Sequence, residues 1–165
     1  MLQPKRHEGG PRKSACRIND KWQRLWDNST KGRWTYRLIP NVSTRIERKH
    51  GEVNFHLTQF FSGHGCFRKF LHRFGHADSP YCPECSDTEE TPEHVVFDCP
   101  RYDPVRNRML SVSGLDTTPE NIVQKMRCDE ATWNAVSSAV TQIALALQRK
   151  WREDQRAIAL PTGVG

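Results

Sequence analysis

Tyr81-Cys82-Pro83-Glu84-Cys85-Ser86-Asp87-Thr88-Glu89-Glu90-Thr91-Pro92-Glu93-His94-Val95-Val96-Phe97-Asp98-Cys99-Pro100 sets three cysteines and a histidine within 18 residues, spaced C-x2-C-x8-H-x4-C. Zinc takes four nitrogen or sulfur ligands in a tetrahedron, with S at about 2.3 Å and N at about 2.0–2.1 Å. A C-x2-C turn offers two thiolates to one side of an ion, and Pro83 stiffens it. Thr91-Pro92-Glu93 opens a helix, with Thr as N-cap, Pro in the first position and Glu in the first turn. His94 then lies in that first turn. Cys99 lies just past the expected helix end, so the chain can fold back on the same ion. Four protein ligands leave no open position, so Zn2+ held by Cys82, Cys85, His94 and Cys99 is expected to be structural. The competing readings are free buried cysteines beside a solvated histidine, a disulfide between two of the three, and His76 replacing His94. No secretory signal is read in the basic first 17 residues, which favours metal over disulfide and an intracellular, reducing compartment.

Outward from this segment the apolar residues follow a helical period. Ile18, Trp22, Leu25 and Trp26 mark one short helix after Asn19-Asp20. Val53, Leu57, Phe60 and Phe61 mark another, stopped at Ser62-Gly63. Phe67, Phe70, Leu71 and Phe74 mark a third, stopped at Gly75. These two form a hairpin around Ser62-Gly63-His64-Gly65, and the Phe residues from Phe55 to Phe74 are read as core. Basic helical turns are expected between Ser43 and His50. Gly32–Pro40, polar and short, can be read as extended chain. Asp103-Pro104 and Thr118-Pro119-Glu120 repeat the helix-opening device. Trp133, Val136, Val140, Ile143, Leu147 and Trp151 then fall on one stripe of a long helix from about Asp129 to Arg156. The fold class expected is mostly α: several short helices, a small CCHC zinc knuckle and a long C-terminal helix. The organisation expected is a basic disordered linker over 1–17, a basic helical region over 18–76, the knuckle over 77–101 and a helical region with a disordered tail over 102–165. The apolar stripes lie outside the knuckle. No run approaches the ~18 apolar residues of a membrane span.

Charge divides the 165 residues unevenly. Residues 1–76 hold 16 Lys and Arg against five Asp and Glu, a net +11, and the remainder carries −5. Such a split favours a polyanionic partner, nucleic acid above all. The candidate contacts are Lys21, Arg24, Lys31, Arg33, Arg37, Arg45, Arg48, Lys49, Arg68, Lys69 and Arg73 for phosphates, with Trp34 and Tyr36 for base stacking. The plain alternative is a solvated basic surface. Cys16, Cys66 and Cys128 have no partner spacing, and the last two are read as small buried hydrophobes.

Lys31-Gly32-Arg33-Trp34-Thr35-Tyr36-Arg37-Leu38-Ile39-Pro40, Gly51-Glu52-Val53-Asn54-Phe55-His56-Leu57-Thr58-Gln59-Phe60, Ser62-Gly63-His64-Gly65-Cys66-Phe67 and Glu93-His94-Val95-Val96-Phe97-Asp98-Cys99-Pro100-Arg101 resemble, in order, blocks of the pol proteins of arthropod non-LTR retrotransposons. They look most like the type-1 elements that insert into ribosomal RNA genes. The resemblance covers about residues 20–150. It implies the C-terminal end of a reading frame that also encodes an apurinic-like endonuclease and a reverse transcriptase. The parent would nick target DNA and copy its RNA at the nick, in the nucleus, with Mg2+ in catalytic domains that this chain lacks. Element RNA or target DNA are the partners implied.

No Asp-Asp pair occurs in the chain, so no polymerase metal site is expected and no catalytic residue is assigned. Two rival classes stand beside nucleic-acid binding. One is a nuclease within this region, which needs clustered carboxylates and a lysine around a divalent metal. The acidic residues here gather mainly around Cys82–Asp98, and no lysine lies between Lys69 and Lys125. The other is a protein-interaction module that self-associates through the Trp133–Trp151 stripe.

Overall fold

The computed structural model describes the backbone of residues 12–43 and 50–159 and the side chains of residues 18–43 and 50–157. Residues 1–11, most of the basic turns expected after Ser43, and with them Arg45, Arg48 and Lys49, fall outside the described residues. The elements in order are α1 (Arg12–Asp27), α2 (Arg33–Leu38), α3 (Phe55–Ser62) and α4 (Arg68–Arg73), then a π-helical turn (His94–Asp98), a 3-10 turn (Pro100–Tyr102), α5 (Asp103–Ser113), α6 (Ile122–Cys128) and α7 (Glu130–Ala159). Among the described residues, the only β pairing is an isolated antiparallel bridge between Tyr81 and Glu89. The class is mostly α with a long C-terminal helix, as the periodicities indicate.

The 30-residue α7 organises the rest. At 1.5 Å per residue it is roughly 45 Å long. Its start is fixed by Asp129, whose Oδ2 accepts the Thr132 N–H at 2.7 Å and the Thr132 hydroxyl at 2.6 Å. That gives the first turn the carboxylate its orphan donors require. Trp133, Val136, Val140, Ile143 and Leu147 are all buried. They pack with α3, α5, α6 and the π-helical turn. One buried cluster runs from Leu38 to Leu147 and includes Cys82 and Cys99, so all three folded segments share it. The stripe proposed as an oligomer seam is thereby buried within the chain as far as Leu147.

α3 is built as its pattern suggests. Asn54 Oδ1 caps it by accepting the Leu57 N–H at 2.8 Å, and Leu57, Phe60 and Phe61 face inward. Gly63 ends it at φ 74°, its N–H bonded to the Gln59 carbonyl at 2.9 Å. A Cβ there would meet the left-handed steric penalty, which is why glycine stands at this stop.

Four expectations need correction. α1 begins at Arg12, so the helix takes in residues assigned to the linker. Its apolar stripe is mostly exposed: Ile18, Trp22 and Leu25 are 50%, 52% and 63% accessible. Only Trp26 docks, donating its indole N–H to the Ile39 carbonyl at 2.9 Å. Gly32–Pro40 is not extended, because α2 occupies Arg33–Leu38. Its six residues are too few to form a stable helix alone. They are held by α3 instead, through Trp34 Nε1 to the Phe60 carbonyl at 2.6 Å and the Thr35 hydroxyl to the Phe61 carbonyl at 2.8 Å. Thr118-Pro119-Glu120 forms a turn, and α6 starts only at Ile122. Cys128 is exposed and Cys66 half-buried.

Among the described glycines, Gly51 sits closest against a neighbouring side chain. It has φ +75°, and a Cβ on it would collide with the buried Trp133 ring. Gly51→Ala therefore combines backbone strain with overpacking. We expect a loss of about 2–4 kcal/mol in stability, read as a lower urea midpoint at unchanged slope.

Candidate metal centre and basic groove

Short local bonds fold the Cys82–Cys85 loop. The Cys82 N–H donates to the Thr88 carbonyl at 2.8 Å, the Ser86 N–H to the Cys82 carbonyl at 2.9 Å, and the Glu90 N–H to the Pro80 carbonyl at 2.9 Å. Ser86 supplies the tight corner with φ 49°. On the other side, Thr91 Oγ1 accepts the His94 N–H at 3.1 Å, the cap that the Thr-Pro-Glu sequence signals.

The helix that follows is π-helical, and the ligand spacing explains why. Residues five apart on an α-helix are about 500° apart, on roughly opposite faces. A wider π turn bonds i to i+5 and brings them back together. Here the Cys99 N–H donates to the His94 carbonyl at 2.7 Å, which closes that turn. Both side chains thus reach the same place.

The ligand atoms of Cys82, Cys85, His94 and Cys99 all lie within 4.8 Å of one another. The Cys99 sulfur is 3.8 Å from that of Cys82 and 4.0 Å from that of Cys85. A tetrahedral ion with sulfur at 2.3 Å requires edges of about 3.8 Å. Cys82, His94 and Cys99 are buried, and His94 Nε2 is buried with no hydrogen-bond partner. A buried imidazole nitrogen left unpaired is costly unless a ligand or ion meets it. These four residues can hold a metal ion, and His76 lies outside their group. Burial pushes the Cys99 thiol up to about 12. It also raises the Cys85 thiol and lowers the His94 imidazole. The pocket therefore disfavours thiolates in its own right, and a cation would reverse that preference.

Arg106 is a part of this centre that the motif does not reveal. It is 9% exposed, and its guanidinium donates to the Cys99 carbonyl at 3.0 Å and the Val96 carbonyl at 3.4 Å, while pairing with Asp103. It fastens the end of the π turn to α5. The available signal was the Asp103/Arg106 spacing, three residues apart on one helix face just after Cys99.

The basic candidates divide by what they touch. Arg37 forks onto Glu93 at 2.7 and 3.0 Å and onto Glu120 at 2.6 Å. These carboxylates, Glu93 foremost, hold its guanidinium above its ordinary value. Lys69 pairs with Glu89 at 2.5 Å and Arg68 with Asp154 at 3.5 Å. Arg33 lies over the Tyr36 ring, 3.9 Å from its centroid, and donates to the Ser29 carbonyl. Tyr36 packs on Trp26 and reaches Asp27. Trp34 is half-buried, edge-on to Phe60. Lys21, Arg24 and Lys31 are exposed around α1. Arg33, Trp34, Arg37, Lys69 and Arg73, up to 40 residues apart in sequence, line one open groove of about 500 Å3. Thr91, Pro92 and Glu93, the turn leading into His94, form its far wall.

No helix among the described residues is long and apolar enough to cross a membrane. No protein-family model and no solved structure matches the chain. Curated proteins do match. One is the Retrovirus-related Pol polyprotein from type-1 retrotransposable element R1 of Bradysia coprophila, 34% identical over 108 residues, covering 59% of this chain and 11% of that protein. A second is the Retrovirus-related Pol polyprotein from type-1 retrotransposable element R1 2 of Nasonia vitripennis, 35% identical over 91 residues, covering 55% of this chain and 22% of that protein. A third is a 115 kDa protein in type-1 retrotransposable element R1DM of Drosophila melanogaster, 32% identical over 111 residues, covering 67% and 10%. The chain thus spans between about a tenth and a fifth of the length of these relatives. Over more than half of its own length, it is a homologue of the proteins of arthropod R1 type-1 retrotransposable elements, Pol polyproteins among them.

Proposed function

We propose that this chain is a zinc-stabilised, nucleic-acid-binding region of a retrotransposon Pol polyprotein. The parent would act as RNA-directed DNA polymerase and endonuclease in target-primed reverse transcription in the nucleus, with Mg2+ in its catalytic domains. This region binds element RNA or target DNA and holds the Zn2+ structurally. The observation that carries the reading is the convergence of Cys82, Cys85, His94 and Cys99 beside a wall of the basic groove. Three sulfurs and one imidazole are a soft set that suits zinc better than magnesium or calcium. With four protein ligands no position remains for substrate water, so the ion shapes the chain rather than reacting. The nuclease alternative gains no support, because no other ligand cluster occurs among the described residues. Described residues from each of the segments 18–76, 77–101 and 102–165 contribute side chains to one shared core.

Protein purified without chelator should carry one zinc per chain by elemental analysis, and Cys85→Ser should lose most of it. Unchanged metal content in Cys85→Ser would refute the ligand set. Arg106→Leu, which removes the donor to the Cys99 carbonyl, should weaken zinc binding by about 10- to 100-fold in competition with a chromophoric chelator.

Acid should release the ion. In the metal-free pocket the Cys99 thiol, pushed up to about 12, is protonated at neutral pH, and binding must expel that proton. Affinity should therefore fall about tenfold or more for each unit of decreasing pH below 8. An affinity independent of pH between 6 and 8 (on the order of one proton's linkage being absent) would show that the thiols do not bind as thiolates.

A further inference from the structure

Three rings form a ladder at the rim of the groove. His64 and Phe70 stand 4.7 Å apart between centroids, and Phe70 and Phe74 4.8 Å apart. His64 and Phe70 line the groove itself. His64 is exposed, Phe70 half-buried and Phe74 56% exposed. Phe60, Phe61 and Phe67, from the same Phe-rich stretch, are buried as core residues should be. The core therefore accounts for the middle of the stretch; Phe70 packs against it only in part, and Phe55 and Phe74 at the two ends are exposed. Trp34 and Tyr36 are poor alternatives as stacking platforms. Trp34 is tied by its indole N–H to the Phe60 carbonyl, and the Arg33 guanidinium lies 3.9 Å from the Tyr36 ring centroid, closer than Arg73 lies to Phe74 at 5.7 Å.

The cations around the ladder differ in availability. Arg37 and Lys69 already face carboxylates, so a phosphate would have to displace Glu93 and Glu120 from one and Glu89 from the other. Arg33 and Arg73 both line the groove, and neither pairs with a carboxylate among the described residues. Unneutralised guanidinium groups beside exposed rings suit a ligand that alternates phosphates with flat bases. Bases reach a ring face only when they are unstacked, as in a single strand.

Building on the nucleic-acid reading, we propose that this groove is a single-strand site: unpaired bases stack on the His64–Phe70–Phe74 ladder while Arg33 and Arg73 hold the flanking phosphates. Trp34 and the 91–93 turn form the walls. The site favours single strands over duplex, and base identity matters little because every base has a π face.

The test uses the full chain, a fluorescein-labelled oligothymidylate, and a duplex of the same length, with anisotropy titrations over a range of salt. Phe74→Ala should weaken single-strand binding by about 5- to 150-fold without altering its salt slope. Phe70→Leu, which keeps the packing but removes the ring, should act alike, and both should leave duplex binding nearly unchanged. Phe55→Ala, a phenylalanine that is 65% exposed and belongs neither to the groove lining nor to the ring ladder, should do nothing. Arg33→Gln with Arg73→Gln should flatten the single-strand slope by about 1.4, two contacts' worth. If the wild type binds both probes with a clear salt slope and the ring variants match it, the groove assignment fails while the broader reading stands. If the wild type binds neither probe at low salt, both fail.

Discussion

Three buried or half-buried thiol sulfurs and an unpaired imidazole nitrogen crowded within 4.8 Å make up the constraint around which the middle of this chain is arranged. Neutral, they leave a polar atom unsatisfied in the interior. As thiolates without a cation they would repel one another in a low dielectric. A single soft cation removes both difficulties. The local folding is consistent with that demand. The Cys82–Cys85 loop is closed by backbone bonds, the His94–Cys99 stretch is widened into a π turn, and Arg106 holds the end of that turn from α5. None of these features follows from helix propensity alone.

The same segment connects the two charged halves. The Arg68 N–H donates to the buried Glu90 carboxylate at 3.1 Å and the Lys69 N–H to the Glu90 carbonyl at 3.3 Å, so α4 is moored to the cysteine loop. Arg37 reaches across to Glu93 and Glu120 from α2. Those ion pairs are about half exposed, so each contributes little to stability on its own. Their effect is on position: they fix α2 against the turn before His94 and neutralise one of the groove's cations. The net basic charge of the first half is thus an upper bound on what a phosphate backbone could meet.

Much of this was legible in the residues. The ligand spacing identified the four converging side chains, the Thr91 cap was visible in Thr-Pro-Glu, and the α7 stripe fell where a 3.6-residue period places it. What stayed hidden depended on distant partners. α2 is helical because carbonyls of residues 60 and 61 accept from Trp34 and Thr35. Arg37 looks like a phosphate ligand until Glu93 and Glu120, 56 and 83 residues away, are placed beside it. The π turn was masked because its sequence signals a helix opening equally well. Phe74 shares a period with core residues, and only tertiary packing shows that the stripe emerges at the surface there.

On the proposed reading a metal ion holds one wall of a nucleic-acid groove, while the packing of α7 on α3, α5 and α6 stands without it. Structural zinc can supply on the order of 10 kcal/mol in small peptides that have no other core, but here α7 also packs on α3, α5 and α6, which carry no ligand. The most direct measurement is therefore to follow single-strand affinity and far-UV circular dichroism on one sample as chelator is added, and then as zinc is returned. Affinity should fall sharply and recover with zinc, while most of the helical signal persists throughout. Unchanged affinity in metal-free protein, or complete loss of the helical signal on chelation, would contradict that reading.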